Sequence, residues 1–145
     1  SDPVQRALLI SSMSRDPEKV SARAAHARRF LKPKFTKLHQ QFKKILLDNG
    51  ITTQTEYEVG FFHVDEAIPE LKIAIEVDGC YWHGCDVCGY SGTPHIMATD
   101  KRKNAFLLNQ GWTLFRIPEH DLTGKNPEPI QRILSSLSRM VHDVT

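Results

Sequence analysis

The sequence predicts an α/β fold, a mixed β-sheet flanked by α-helices. Three observations carry this. Residues 71–77 are almost continuously apolar, the signature of a central strand covered on both faces. Residues 36–48 and a stretch beyond Pro129 repeat apolar side chains at helical spacing. The inferred order, α-β-β-β-α-β-α, suits a mixed sheet with helices packed against it.

The elements follow in order. Residues 4–31 read as helical but poorly amphipathic, with Val4, Ala7, Leu8 and Ile10 as a short apolar patch. Asp16-Pro17 is a helix-start signal, an N-cap followed by proline at the first helical position. Lys19, Arg23, Arg28, Arg29, Lys32 and Lys34 follow, and such a run cannot bury itself. Pro33 ends it, and residues 1–35 read as a basic N-terminal arm separate from a domain over 36–145. Thr36 can cap the next helix, whose apolar stripe is Leu38, Phe42, Ile45 and Leu46. His39, Gln40 and Lys43 lie on or beside that stripe, and Asn49-Gly50 stops it.

Strands are expected over 51–59 and 61–67, with a turn at Pro69-Glu70 before the central strand 71–77. Residues 79–95, rich in Cys and Gly, read as irregular. A helix is expected over 98–110, with Asp100 in its first turn and Ala105, Leu107 and Leu108 supplying its apolar side. Gly111 ends it, residues 112–117 form a last strand, and Pro118 closes that. The C-terminal helix turns Ile130, Ile133, Leu134, Leu137 and Val141 inward.

The composition is that of a globular chain, 40% hydrophobic and 25% charged over 145 residues. No apolar run approaches the roughly 20 residues of a membrane span, so no membrane partner is expected. The net charge of +2 hides an asymmetry: residues 1–45 hold eleven Lys/Arg against three Asp/Glu, and residues 46–145 hold eight against fourteen. A basic arm on an acidic body points to a polyanion for the arm and cations for the body. Three cysteines crowded into nine residues argue for a metal rather than disulfides, and hence for an intracellular, reducing compartment.

Carboxylates carry the chemistry. A hairpin brings Asp65 of one strand beside Glu76 and Asp78 of the next, which alternation puts on one face. Such hard oxygens suit Mg²⁺, which can polarise a phosphodiester; otherwise they are solvated at the sheet's edge. His83, just beyond, can take or give a proton near pH 7, and Asp100 can fix its tautomer. Tyr81 and Trp82 beside it can stack on bases or pack in the core. Cys80, Cys85 and Cys88 include a C-x₂-C pair suited to Zn²⁺, with His120 or His95 as the fourth ligand.

Over roughly residues 20–122 the chain resembles the very-short-patch-repair endonucleases and related homing endonuclease catalytic domains, of the PD-(D/E)xK restriction-endonuclease-like fold. The resemblance rests on Gly79-Cys80-Tyr81-Trp82-His83, on the Asp100 helix ending at Gly111-Trp112, and on the strand leading to Glu119-His120. It implies a catalytic Mg²⁺ held by Asp65 and the Val77 carbonyl, with Asp78 where the repair enzyme has a histidine. It implies His83 as general base supported by Asp100, and Tyr81 and Trp82 as the aromatic wedge entering DNA. It also implies a structural Zn²⁺ on Cys80, Cys85, Cys88 and His120. The family's helix glutamate is absent: Thr36-x-x leads to His39, so that role is altered, filled by Glu76, or lost. The implied protein is a metal-dependent endonuclease on double-stranded DNA, nicking as a monomer or weak dimer, in mismatch repair or as a mobile-element nuclease. Its basic segment, including Arg23, Arg28, Arg29, Lys32 and Lys34, would track the DNA backbone. The alternative is a zinc-bearing DNA-binding module whose nuclease site has degenerated.

Overall fold

The computed structural model describes residues 35–143, and the basic arm expected over 1–35 lies almost wholly outside them. The expected mixed sheet is present, with order β1-β2-β3-β4. Strands β1 (Gln54–Val59), β2 (Phe62–Ile68) and β3 (Ile73–Asp78) form an antiparallel meander, and β4 (Thr113–Pro118) pairs parallel with β3. The crossover from β3 to β4 carries a one-turn helix α2 (Cys80–His83) and the long α3 (Pro94–Asn109). Helix α1 (Lys37–Asp48) precedes the sheet, and α4 (Glu119–Thr123) and α5 (Glu128–His142) follow it.

Local chemistry sets the boundaries. The Thr36 side chain accepts the His39 backbone N–H at 3.2 Å, satisfying one of the orphan donors of the first turn of α1. A single 3₁₀ turn over Pro69–Leu71 makes the β2–β3 connection, with Lys72 left-handed at φ 51° to close it. The strands begin two or three residues later than expected at β1 and β3, because 51–53 and 71–72 belong to the connections.

Two cores sandwich the sheet. On one face Phe42 and Leu46 of α1 and Ile130 and Leu137 of α5 meet Ile73, Ile75 and Ile117. On the other, Leu107 of α3 packs on Val64, Ala67 and Ala74. Strand β3 is buried along five of its six residues, as its unbroken apolar run requires.

Helix α3 departs from expectation in two ways. It starts at Pro94, four residues earlier, so Asp100 lies in its second turn, and attraction to the helix N-terminus does not explain the residue. Ala105 and Leu108 face solvent, and Ile96 and Leu107 are the buried apolar pair. The inward side runs through 96, 100, 103 and 107, two of which are Asp100 and Lys103. Polar side chains on the sheet-facing side erase the amphipathic pattern that would have located it.

Candidate active site and metal-binding clusters

The β1–β2 ladder is interrupted where the acids begin. Its rungs run Thr55↔Glu66 and then Tyr57↔Val64, with no rung between Glu56 and Asp65. Residues two apart on a strand normally share a face. Here Thr55 and Glu66 bond each other beside α1, whereas Tyr57 and Val64 join the opposite core. The backbone of Glu56 lies between, left-handed at φ 52°. That conformation costs a non-glycine residue energy and marks a place held by its surroundings.

The interruption sets Glu56 and Asp65 against His39 of α1. His39 Nδ1 lies 3.8 Å from Glu56 Oε1 and 4.0 Å from Asp65 Oδ1. The three donor atoms fall within 4.8 Å of one another, a grouping that can hold a metal ion. Asp65 Oδ2 accepts the backbone N–H of Val77 at 2.7 Å, which ties the carboxylate to the end of β3. A cleft of about 350 Å³ opens here, lined by His39, Asp65, Val77, Tyr81, Trp82 and Glu119.

Behind His39 sits a carboxylate that the sequence did not single out. Glu66 is fully buried, meets His39 Nε2 at 2.5 Å, and accepts from Lys43 Nζ at 2.8 Å and from the Thr53 hydroxyl at 2.6 Å. Burial favours the neutral acid, but these bonds overcome it and hold the Glu66 pKa at about 2. Burial likewise disfavours a charged His39, but the Glu66 hydrogen bond and the charges of Asp65, Glu66 and Glu56 raise its pKa.

A second group lies beyond β3. His83 Nδ1 hydrogen-bonds the Asp100 carboxylate, and His83 Nε2 stands 3.6 Å from Asp78 Oδ1, buried and without a hydrogen-bond partner. Arg116 of β4 grips both oxygens of Asp78, at 2.9 and 3.1 Å, and approaches Asp100 at 3.5 Å. Burial works against the Asp100 charge, but His83, Arg116 and Lys103 outweigh it and lower its pKa. The one-turn helix α2 presents these groups. Gly84, at φ 82°, lets the chain leave it, and there its backbone nearly touches Gly92, where a Cβ would come within 2.7 Å of the Gly84 nitrogen.

The acids grouped from sequence therefore divide. Asp65 and Val77 line the first cleft, while Asp78, His83 and Asp100 line a second with Arg116. Asp78 is absent from the Asp65 grouping because its carboxylate is committed to the Arg116 guanidinium. Glu76, fully buried, accepts Lys103 Nζ and the Asp65 backbone N–H, both at 3.2 Å. Alternation does put Glu76 and Asp78 on one side of β3, where Arg116 feels the charge of both. Glu56, Glu66, Lys103 and Arg116 were missed, and Lys43 was noted only as a polar residue beside the stripe of α1. Their only sequence signal was a charged residue at a strand or helix position that ought to face inward.

Cys80, Cys85, Cys88 and His120 converge as a third group. Parallel pairing of Asp78 with Pro118 ends β3 and β4 side by side, so two residues further on Cys80 meets His120. His120 Nδ1 lies 3.4, 3.5 and 3.7 Å from the three sulfurs. Sulfur and nitrogen ligands of one tetrahedral Zn²⁺ stand about 3.6 Å apart, so the set fits that ion. Asp121, 3.5 Å from His120 Nε2, can orient the ring. Local desolvation and the Cys80 and Cys85 sulfurs push the Cys88 thiol up to about 11, while hydrogen bonding from Cys88 lowers that of Cys85. His95 lies in the first turn of α3, outside this group.

Tyr81 is 58% exposed and stands edge-on to both Trp82 and Tyr90. Trp82 is half-buried and folds back over Gly79, where a Cβ would lie 3.2 Å from its ring. Arg23, Arg28, Arg29, Lys32 and Lys34 lie outside the described residues. Among the described residues no helix is long and apolar enough to cross a membrane.

No family model matches the chain. It is 33% identical over 109 residues to the type II nicking enzyme V.HpaIIP of Haemophilus parainfluenzae, covering 67% of this chain and 77% of that protein. It is 27% identical over 81 residues to the type II nicking enzyme V.NaeI of Lentzea aerocolonigenes, covering 49% of this chain and 47% of that relative, about half its length. Its fold is similar to that of the homing endonuclease I-Bth0305I catalytic domain, with a TM-score of 0.53 at 25% identity over 72% of this chain and 93% of that one.

Proposed function

Since the chain belongs to the family of the type II nicking enzyme V.HpaIIP, we propose that it cuts one strand of double-stranded DNA, using a divalent metal and an activated water. The observation that carries this is His83: its Nδ1 is fixed on Asp100, and its Nε2 is buried without a hydrogen-bond partner. A histidine held so, with a carboxylate behind it, is arranged to take a proton.

In this reading Asp65 and the Val77 carbonyl hold the metal, Mg²⁺ being the sequence-based assignment, and Glu56 and His39 border it. A bound cation there would polarise the phosphodiester and offset charge on the leaving oxygen. With the scissile phosphodiester laid across both clefts, His83 Nε2 would take the proton as the water oxygen bonds to phosphorus and the ester P–O bond breaks, the leaving oxygen departing as an alkoxide that the cation offsets and solvent protonates. Asp100 keeps Nδ1 protonated, and Asp78 balances the imidazolium that forms. Arg116 holds both carboxylates in place. Cys80, Cys85, Cys88 and His120 carry a structural Zn²⁺ that anchors α2, the element bearing Tyr81, Trp82 and His83. Tyr81 and Trp82 meet DNA, and the basic segment holding Arg23, Arg28, Arg29, Lys32 and Lys34 follows its backbone.

A nicking assay on supercoiled plasmid with and without EDTA, wild type beside Asp65→Ala, tests this. Metal-dependent nicking by the wild type and none by the variant is expected. DNA binding without cleavage in Mg²⁺ or Mn²⁺, on plasmid and on mismatched duplexes alike, would make the chain a DNA-binding module instead.

A further inference from the structure

We propose that the metal centre of this chain takes a nitrogen ligand, His39 Nδ1, together with the carboxylates of Glu56 and Asp65, and therefore prefers Mn²⁺ to Mg²⁺. The inference rests on the metal-dependent reading above and names the ion that such a site selects.

The first observation is an orphaned atom. His39 is 3% exposed, and its Nδ1 has no hydrogen-bond partner. Leaving a buried ring nitrogen unpaired costs stability unless something completes it. The ring cannot turn away, because Nε2 is held by Glu66 at 2.5 Å and Glu66 is itself fixed by Lys43, Thr53 and Thr55. A carboxylate behind one imidazole nitrogen, with the other aimed outward, is how metal-ligating histidines are held.

The second observation is the spacing of the facing groups. Nδ1 stands 3.8 Å from Glu56 Oε1 and 4.0 Å from Asp65 Oδ1. Two ligands bound at about 2.1 Å to one ion can stand up to about 4.2 Å apart, so both pairs fit a shared cation. The third is the strained backbone of Glu56, at φ 52° within a strand, which accompanies delivery of its carboxylate to this spot.

The donor set decides the metal. An all-oxygen, water-rich site suits Mg²⁺, whereas an imidazole raises affinity for first-row transition ions over Mg²⁺. The competing account is that His39 sits among the carboxylates as an imidazolium and binds no metal.

Mn²⁺ added to the purified chain, with its cysteine site first filled by one equivalent of Zn²⁺, separates the two. Pulsed electron paramagnetic resonance reads imidazole nitrogen coupled to the bound ion, and calorimetric competition reads Mn²⁺ against Mg²⁺. Expected are a nitrogen coupling and a preference for Mn²⁺ of about tenfold or more. His39→Glu, an all-oxygen site, should lose the coupling and most of the preference. If that variant does not fold, His39→Gln, which can still hydrogen-bond Glu66, takes its place. Glu56→Gln, on a side chain 27% exposed, should keep the coupling and weaken Mn²⁺ by about tenfold.

Mn²⁺ bound without nitrogen coupling, in a protein that still nicks DNA, would remove His39 from the centre and leave the nuclease reading intact. Coupling that survives the His39 substitution would place the nitrogen elsewhere and overturn the proposal. Failure to bind either ion, with no cleavage, would overturn both readings.

Discussion

Asp65 accepts the backbone N–H of Val77 at 2.7 Å through one oxygen and turns the other toward His39, 4.0 Å away. One carboxylate thus ties down the end of the central strand and borders the candidate metal centre. The two roles separate by substitution. Asp65→Asn keeps an acceptor for Val77 and should change stability by less than about 1 kcal/mol, while nicking falls by about a hundredfold or more. Asp65→Ala strands a buried N–H and should cost about 1–3 kcal/mol besides. Denaturant unfolding and plasmid nicking on the same preparations check both. Nicking retained by the Asn variant would take Asp65 out of the metal site.

Glu66 gives the fold an acid limit. Its pKa is about 2 in the folded chain against an ordinary 4.5, because His39, Lys43, Thr53 and Thr55 all bond the ionised form. A folded-state pKa below the unfolded one gives stability that is complete above the unfolded pKa and lost as pH falls through the folded one. That contribution is on the order of 3 kcal/mol, and it should disappear between about pH 4.5 and 2. Unfolding measured at pH 7, 4 and 3 should show the decline, and Glu66→Gln should flatten this part of it. A variant with the same acid profile as wild type would show that other groups set the limit.

How much of this could be read from the chain depends on whether a residue's surroundings are local. The central strand was legible because 71–77 is apolar without interruption, and α1 because its stripe is periodic. The cysteine group was legible from C-x₂-C spacing, and the place of His120 follows once β3 and β4 end together. Glu56 was not legible. Nothing in Thr-Glu-Tyr marks a left-handed residue, since the usual glycine or asparagine is absent. Asp78 read as a metal ligand because its partner, Arg116, lies 38 residues away on a parallel strand. Helix α3 was placed late because Asp100 and Lys103 occupy sheet-facing positions where periodicity looks for apolar residues.

The His83–Asp100 pair makes a prediction about rate and fold together. Asp100→Asn removes the carboxylate that holds Nδ1 protonated, and nicking should fall by about 10²–10⁴-fold. Burial works against the Asp100 charge, but the His83 hydrogen bond and then the charges of Arg116, His83 and Lys103 outweigh it, so that charge adds stability above the ordinary carboxylate range that is lost in acid. The Asn variant should therefore lose part of the acid-dependent stability as well as activity. Single-turnover nicking and unfolding at pH 4 and 7 check this. Unchanged turnover would remove Asp100 from proton handling.

The cysteine group should bind one zinc ion, measurable by metal analysis of the purified chain. Closing 80–90 on a metal secures a segment with little apolar burial, in which Val87 is 81% exposed and Cys88 lies at the surface. His120→Ala or Cys85→Ser should abolish stoichiometric zinc and lower the melting temperature by about ten degrees or more. Because α2 is anchored at Cys80, nicking should fall with the zinc even where the sheet persists by circular dichroism. Full zinc occupancy in both variants would mean that other ligands hold the ion.

Tyr81 and Trp82 are neighbours in sequence with different surroundings, and their substitutions should differ. Tyr81 projects from α2 with 58% of its surface exposed, and little of the fold depends on it. Tyr81→Ala should leave the melting temperature within a few degrees, yet weaken DNA binding by about 1–3 kcal/mol if the ring stacks on a base. Trp82 leans over Gly79 and lines the cleft with Asp65 and His39, so Trp82→Ala removes packing from the wall of the site. It should lower stability as well as binding, by about 1–3 kcal/mol for a half-buried ring. Fluorescence anisotropy with a labelled duplex, beside thermal unfolding, distinguishes the two. Equal loss of stability in both variants would mean that the aromatic pair is one packed unit and that Tyr81 does not reach DNA independently.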